Sequence, residues 1–403
     1  MRKINVGSIV TYVMIIVFYP SFSSGMTLDN AIETIADKLH EKQVITGVYA
    51  GCWPPEYDFT GSIVGGMASA HELACDEGYL HSSELGGDSI LFLSQGNFFG
   101  DETYALMLLS QNSTDPNDNK WRDALVGFYD NVENSEGGTK GYIENSSGSD
   151  PSTDVLYLAH YVLAAYYVNA NDKQIWRQEL VGRLSYVDDT SFYPVMALGA
   201  ALWALSKTGP VDTNTPIEPT SGQSLPYWNT KKFSDLPTLL VSHQVQGDQA
   251  NGAGSFYWQF THTPESLYGY TEDAIFATLG LAAAYQAEPD ANLYSAIVKA
   301  RKALLNGVNP EGRVFESLSQ EGVELSVYSG EMLEILVELI SPGDVDGDGK
   351  VGLKDFDLIC NHWGEGNCNQ TCWCDHADIN RNGQVDTPDL EIFCDNWLRE
   401  EGY

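Results

Sequence analysis

Positive charge is scarce in this chain. Its 403 residues hold 21 Lys and Arg against 56 Asp and Glu, a formal net charge of −35. A surface that tracks phosphates needs clustered Lys and Arg, so nucleic acid is excluded as a partner. A field of this sign keeps the protein soluble and opposes polyanions unless local cations compensate. Long apolar runs are also missing. After the stretch from Val6 to Tyr19, nothing approaches the roughly twenty apolar residues of a membrane span. No run of period-2 strands stands out, and there is no metalloprotease helix, serine-nucleophile elbow or phosphate-cradling loop.

The apolar stretch that does exist follows Arg2 and Lys3 and precedes Ser23-Ser24-Gly25. That is the layout of a secretory signal over 1–25, cleaved near Gly25. The expectation is an exported protein, extracellular or periplasmic, with no transmembrane segment in the mature chain. Export permits disulfides. Of seven cysteines, Cys52 and Cys75 lie before residue 342; Cys360, Cys368, Cys372, Cys374 and Cys394 lie after it. The odd count leaves at least one unpaired, and the pairing stays open. Cys360 and Cys394 occupy equivalent places in a repeat described next, which would let them face each other. A zinc site from these cysteines with His362 or His376 fits no strong spacing template.

The last sixty residues carry the sharpest pattern. Asp344, Asp346, Asp348 and Asp355 stand at positions 1, 3, 5 and 12 of a calcium loop, with Gly349 at position 6. Thirty-four residues on, Asp378, Asn380, Asn382, Asp386 and Asp389 repeat it around Gly383. Calcium takes six to eight oxygens, and this spacing wraps them round one ion. The repeat continues into the next segments: Ile359 matches Phe393, Cys360 matches Cys394 and Trp363 matches Trp397. Asp at position 12, with one helix after each loop, resembles the type I dockerin module over about 343–399, within a C-terminal domain 343–403. The resemblance implies two calcium ions. Their ligands would be Asp344, Asp346, Asp348, the Lys350 carbonyl and Asp355, then Asp378, Asn380, Asn382, the Gln384 carbonyl, Asp386 and Asp389. It also implies a cohesin-type scaffold partner and a carbohydrate-active cargo. Gly352 at position 9 and the long cysteine-bearing linker between repeats depart from the family pattern. The bland alternative is a calcium-stabilised end domain without a cohesin.

Residues 26–341 read as alternating helices. Charged amphipathic segments fall at about 27–43, 80–94, 118–132, 173–185, 233–245 and 290–306. Segments rich in Ala, Gly, Leu and Met fall at about 60–77, 101–111, 152–169, 191–207, 271–287 and 324–340. Val195 to Leu205 and Ala274 to Tyr285 are apolar on nearly every face and must be buried. Six of each suggest an inner ring within an outer ring, an all-α (α/α)6 toroid. The layout is similar to six-hairpin glycosidases, several polysaccharide lyases and terpenoid-cyclase-like toroids; a plain helical solenoid is the alternative.

In toroids of that kind the cleft lies where the inner helices begin, and here those segments are rich in acids and aromatics. The candidate catalytic residues are Asp101, Glu102, Glu272 and Asp273, then Asp58. The candidate sugar-binding rings are Trp53, Tyr57, Phe99, Tyr257, Trp258 and Tyr270. Sugar C–H faces stack on rings, and glycosidic cleavage needs two carboxyl groups, one protonated. A lyase would need a base, such as a tyrosine or His243 or His262, and a cation for the uronate. The competing reading is that each Asp caps a helix. The expected function is a glycoside hydrolase or polysaccharide lyase acting on polysaccharide. The alternative is a non-catalytic toroid that binds glycan or protein and is attached to a scaffold through the dockerin.

Overall fold

The computed structural model describes residues 26–55, 60–112, 119–209, 213–220, 222–246, 252–263, 266–341, 343–346, 351–368 and 372–397. The expected signal segment, Tyr57, Asp58, Asp348 and Lys350 lie outside them. The described residues contain no β-sheet, only isolated bridges. No helix among them is long and apolar enough to cross a membrane.

The outer helices are α1 (Leu28–Lys42), α3 (Glu77–Ser94), α5 (Lys120–Glu133), α8 (Lys173–Leu184), α10 (Leu236–Ser242) and α12 (Ala291–Gly307). The inner ones are α2 (Thr60–Ala74), α4 (Gly100–Asn112), α7 (Pro151–Tyr167), α9 (Pro194–Lys207), α11 (Thr271–Ala287) and α13 (Ser326–Glu338). Each inner helix packs on the next, and α13 packs back on α2, so the ring closes as the alternation predicts. Local chemistry agrees with these assignments. Thr27 caps α1 by accepting from Asn30 N–H, and Leu28, Ile32, Ile35 and Leu39 form its buried stripe. Asp150 caps α7, and Pro151 opens it.

Two features depart from the even pattern. Outer helix α10 is shorter than expected and is entered through a 3-10 turn at Phe233–Asp235. A further helix, α6 (Gly138–Ser146), sits between α5 and α7.

Small residues let the inner helices meet at backbone distance. A Cβ on Gly66 of α2 would lie 2.2 Å from the Gly330 carbonyl of α13, and one on Gly280 of α11 would lie 2.6 Å from the Gly199 carbonyl of α9. No side chain fits at such a crossing.

The C-terminal module has its own core. Val351 and Val385, and Ile359 and Phe393, are pairs related by the repeat, and all four are buried together. Helices α14 (Leu353–Asn361) and α15 (Thr387–Asn396) follow the two loops. Cys368 and Cys374 form a disulfide across the linker between repeats, which removes both thiolates from any zinc site. Cys360 and Cys394 are free and exposed, so the equivalence of their positions does not produce a bond.

The module rests on the end of the toroid where α2 and α13 finish. Arg381 pairs with Glu72, and a cavity of about 420 Å³ at the junction is lined by residues including Asp29, Ile32, Leu73, Trp373 and His376. Cys75, just past α2, is disulfide-bonded. Cys52 is free and buried.

Candidate active site

The mouth of the ring is built from the first turns of the inner helices, and two aspartates stitch those turns together. Asp101 lies in the first turn of α4, and its carboxylate accepts the Ser62 N–H at the start of α2. Gly61 leaves room for this, since a Cβ there would lie 2.4 Å from Asp101 Oδ2. Asp273 of α11 does the same to α9, accepting the Met196 N–H at 3.1 Å. Its second oxygen, Oδ2, is buried with no hydrogen-bond partner among the described residues. Burial pushes Asp101 up to about 6 against the pull of its backbone donors, and holds Asp273 well above the carboxylate range.

Glu102 has a local role. It accepts from the Phe99 N–H at 2.9 Å and from the Ser94 hydroxyl, which ties the α3–α4 turn together. Burial raises it to about 7.

Glu272 is the candidate that faces other acids across the mouth. The Thr271 N–H donates to the Glu316 carbonyl at 2.9 Å, and the Thr271 hydroxyl donates to the Phe315 carbonyl at 2.6 Å. These bonds bring the loop before α13 against the start of α11 and set Glu316 beside Glu272. Burial, then the Glu316 carboxylate, raises Glu272 to about 7.

Below them Glu331, on α13, accepts from the Ser62 hydroxyl at 3.4 Å, and its Oε2 is buried without a hydrogen-bond partner among the described residues. Glu334 follows one turn deeper, beside Gly65. Burial, then neighbouring acids, keeps both far above the usual range. Every charged or titrating neighbour that shifts Glu272, Asp273, Glu331, Glu334, Tyr193 or Tyr328 is an acid or a tyrosine.

Tyr193, Trp258 and Tyr270 form a ring wall beside this cluster, with centroids 5.9–6.1 Å apart. Tyr193 caps α9 in the left-handed region at φ 51°, an uncommon backbone state for a large side chain. Burial, then Glu272, pushes its hydroxyl up to about 12, so it is a hydrogen-bond donor and no base near neutrality. Tyr157 is likewise raised to about 12, by burial and then Asp101.

The other sequence candidates are placed differently. Trp53 is 0 % exposed and donates its indole N–H to the Leu39 carbonyl, so it is a core residue and the expectation of a sugar platform there is corrected. Tyr257 stacks on His262 at 4.1 Å in a separate cluster with His243 and Phe260. His243 is buried there and lowered to about 4 by burial. His160 is buried, its Nδ1 has no hydrogen-bond partner among the described residues, and its ring packs against Tyr104 and Trp203. Phe99 is exposed at the mouth.

Glu331 and Glu334 carried a signal that sequence reasoning underused. They are acids three residues apart in a helix that is buried on nearly every side.

In the module, one ligand atom each from Asp344, Asp346 and Asp355 lies within 4.8 Å of the others. The second loop is built alike. In both, the position-12 carboxylate accepts the N–H of positions 3 and 9: Asp355 from Asp346 and Gly352, Asp389 from Asn380 and Asp386. Position 12 is also the third residue of the following helix, where a short Asp closes the capping box. Asp386 Oδ1 is buried without a hydrogen-bond partner among the described residues. Carboxylates clustered this closely fit a hard divalent ion.

Residues 342–393 match the family model of the Dockerin type I domain. No curated protein matches the sequence. Among solved structures, the GH76A alpha-1,6-mannanase from Salegentibacter sp. HEL1_6 is similar at 12% identity and a TM-score of 0.50, covering 77% of this chain and 98% of that one. A possible member of the GH105 family from Salmonella enterica serovar Paratyphi A is similar at 9% identity and a TM-score of 0.53, covering 80% and 96%. At such identities the likeness establishes the toroid fold.

Proposed function

We propose that this chain is an exported, dockerin-borne glycoside hydrolase that cleaves a neutral polysaccharide at the acidic mouth of the toroid. The observation that carries the reading is Glu272, raised to about 7 beside Glu316 and next to a wall of three aromatic rings. A carboxyl that keeps its proton near neutrality can protonate a leaving glycosidic oxygen. Glu316 is the second carboxyl, the base or nucleophile. Tyr193, Trp258 and Tyr270 offer ring faces to the sugar, and the two tyrosines add hydroxyls. Asp101 and Asp273 hold the inner helices in register under the site.

Among the described residues no cation acts on this cluster, which disfavours a uronate substrate, and the raised tyrosines and buried His243 disfavour a lyase base. The dockerin would bind two calcium ions through its loops and attach the toroid to a cohesin-bearing scaffold. Export would follow cleavage near Gly25.

The test is a depolymerisation screen of the full mature chain on neutral and uronic-acid polysaccharides, reading reducing ends and unsaturated-uronate absorbance together. New reducing ends on a neutral polymer without that absorbance are expected. Absorbance accompanying the ends would mean a lyase. Silence on a broad panel, with the protein folded, would mean a binding toroid.

The buried acids also set a pH dependence. Asp101 and Glu272 have folded values of about 6 and 7, above those of the unfolded chain. The folded state therefore holds protons that the unfolded state has released. Their favourable contribution is complete near pH 4 and is lost as pH rises to about 7. The toroid should melt lower at pH 8 than at pH 5, and Glu334→Gln should reduce that difference, because its carboxyl is also raised by burial. Melting curves of the two proteins at both pH values check this; equal differences would remove the assignment.

A further inference from the structure

Helix α6 is the element that the six-plus-six alternation does not contain, and it makes the outer wall of a cavity on the same face as the acidic mouth. The cavity, about 220 Å³, is lined by residues including Asn97, Phe99, Tyr142, Ser146, Tyr157 and Tyr161. A space of that size accommodates a sugar ring.

Its chemistry is mixed in the way a sugar requires. Phe99 is 59% exposed although it stands in the turn that leads into a buried helix, and its ring lies 6.3 Å from that of Tyr157. The lining also holds Tyr142, the exposed Ser146 and Asn97, and Ser147. The only charged group in the lining, Asp154, is already engaged by the Gly148 N–H at 2.8 Å and by Arg183 at 3.7 Å. Among the described residues no lysine or arginine lines the cavity, so an anionic sugar finds no counter-charge in that lining.

Tyr157 connects this cavity to the mouth. The same side chain that lines the cavity lies in the field of Asp101, Glu331 and Glu272. A chain whose scissile bond sits at Glu272 would run past Tyr157 and reach the cavity.

We infer that the cavity between Phe99 and α6 is a separate saccharide subsite, which takes one neutral pyranose unit of the substrate chain on the Phe99 face. The identity of the occupant rests on the hydrolase reading above. In that role the cavity sets the minimum chain length that is cut efficiently.

The probes are neutral gluco-, xylo- and manno-oligosaccharides of two to six units, used with the full mature chain. In the parent, kcat/KM should rise by about tenfold on adding the unit that fills the cavity, the gain expected from burying one ring face. Phe99→Ala and Asn97→Ala should each flatten that step through KM, so that the added unit no longer brings the tenfold gain. Both residues are exposed, so the variants should fold. An unaltered length profile in both variants would overturn the subsite and leave the hydrolase reading standing. Binding to Glu272→Gln, measured by calorimetry, separates the two claims. Phe99-dependent affinity for a hexasaccharide in a protein that cleaves nothing in its parent form would support the subsite and remove the hydrolase. Oligosaccharides neither bound nor cut would remove both.

Discussion

Glu272→Gln should abolish cleavage while leaving the protein at least as stable as its parent. The loss expected from removing a general acid is about 10²–10⁴ in kcat. The gain in stability follows from the same environment. Burial and the Glu316 carboxylate both raise the parent group, so its ionised form opposes folding at neutral pH and above. Glutamine has nearly the same shape, carries no charge and can still hydrogen-bond. Above pH 7 the variant should therefore melt at the parental temperature or higher. This pair of signs distinguishes the acid from a residue that merely holds the fold, for which activity and melting temperature would fall together. Substitution of Asp273 is the contrast. It removes the carboxylate that accepts the Met196 N–H between α11 and α9, so activity and stability should both drop. Kinetics and melting curves on the two variants decide the matter. Cleavage by Glu272→Gln within a few fold of the parent would take the acid role away from Glu272.

Removing calcium should melt the module and spare the toroid. The carboxylates of Asp344, Asp346 and Asp355 gather within 4.8 Å, and without a cation their mutual repulsion opposes the loop. The module has only a small core, so it depends on such an ion more than a large domain does. At free calcium a thousand times the dissociation constant, one site adds about 4 kcal/mol, and two loops would add more. A chelator should collapse the environment of Trp397, which packs on Phe393 at 4.9 Å, while most helical circular dichroism remains. Calorimetry in calcium and in chelator should show one transition moving and the toroid transition nearly still. Two transitions indifferent to the chelator would exclude calcium as the stabilising group.

The alternation of charged and apolar segments sufficed to read the toroid because it records a local cause. A helix that is apolar on every face has no stable place except inside, and six such helices separated by amphipathic ones leave few arrangements. The calcium loops were legible for the same reason: ligand spacing in a loop is a property of consecutive residues. Trp53 shows where the reasoning stopped. A tryptophan in a Pro-rich loop before an inner helix reads equally as a platform or a core anchor, and only the position of the Leu39 carbonyl decides.

What the sequence by itself determined, then, is the kind of helix at each position, the six-plus-six order, the duplicated loops and the acidic balance. The tertiary structure decided which acids meet. Glu272, Glu316 and Glu331 lie on α11, on the loop before α13 and on α13 itself, and converge because α13 packs on α11 and Thr271 binds that loop. Asp101 and Asp273 resemble Glu272 in sequence, yet their backbone partners give them structural work. Proton affinity depends on burial and on neighbours across space, and neither is written in the order of residues along one helix.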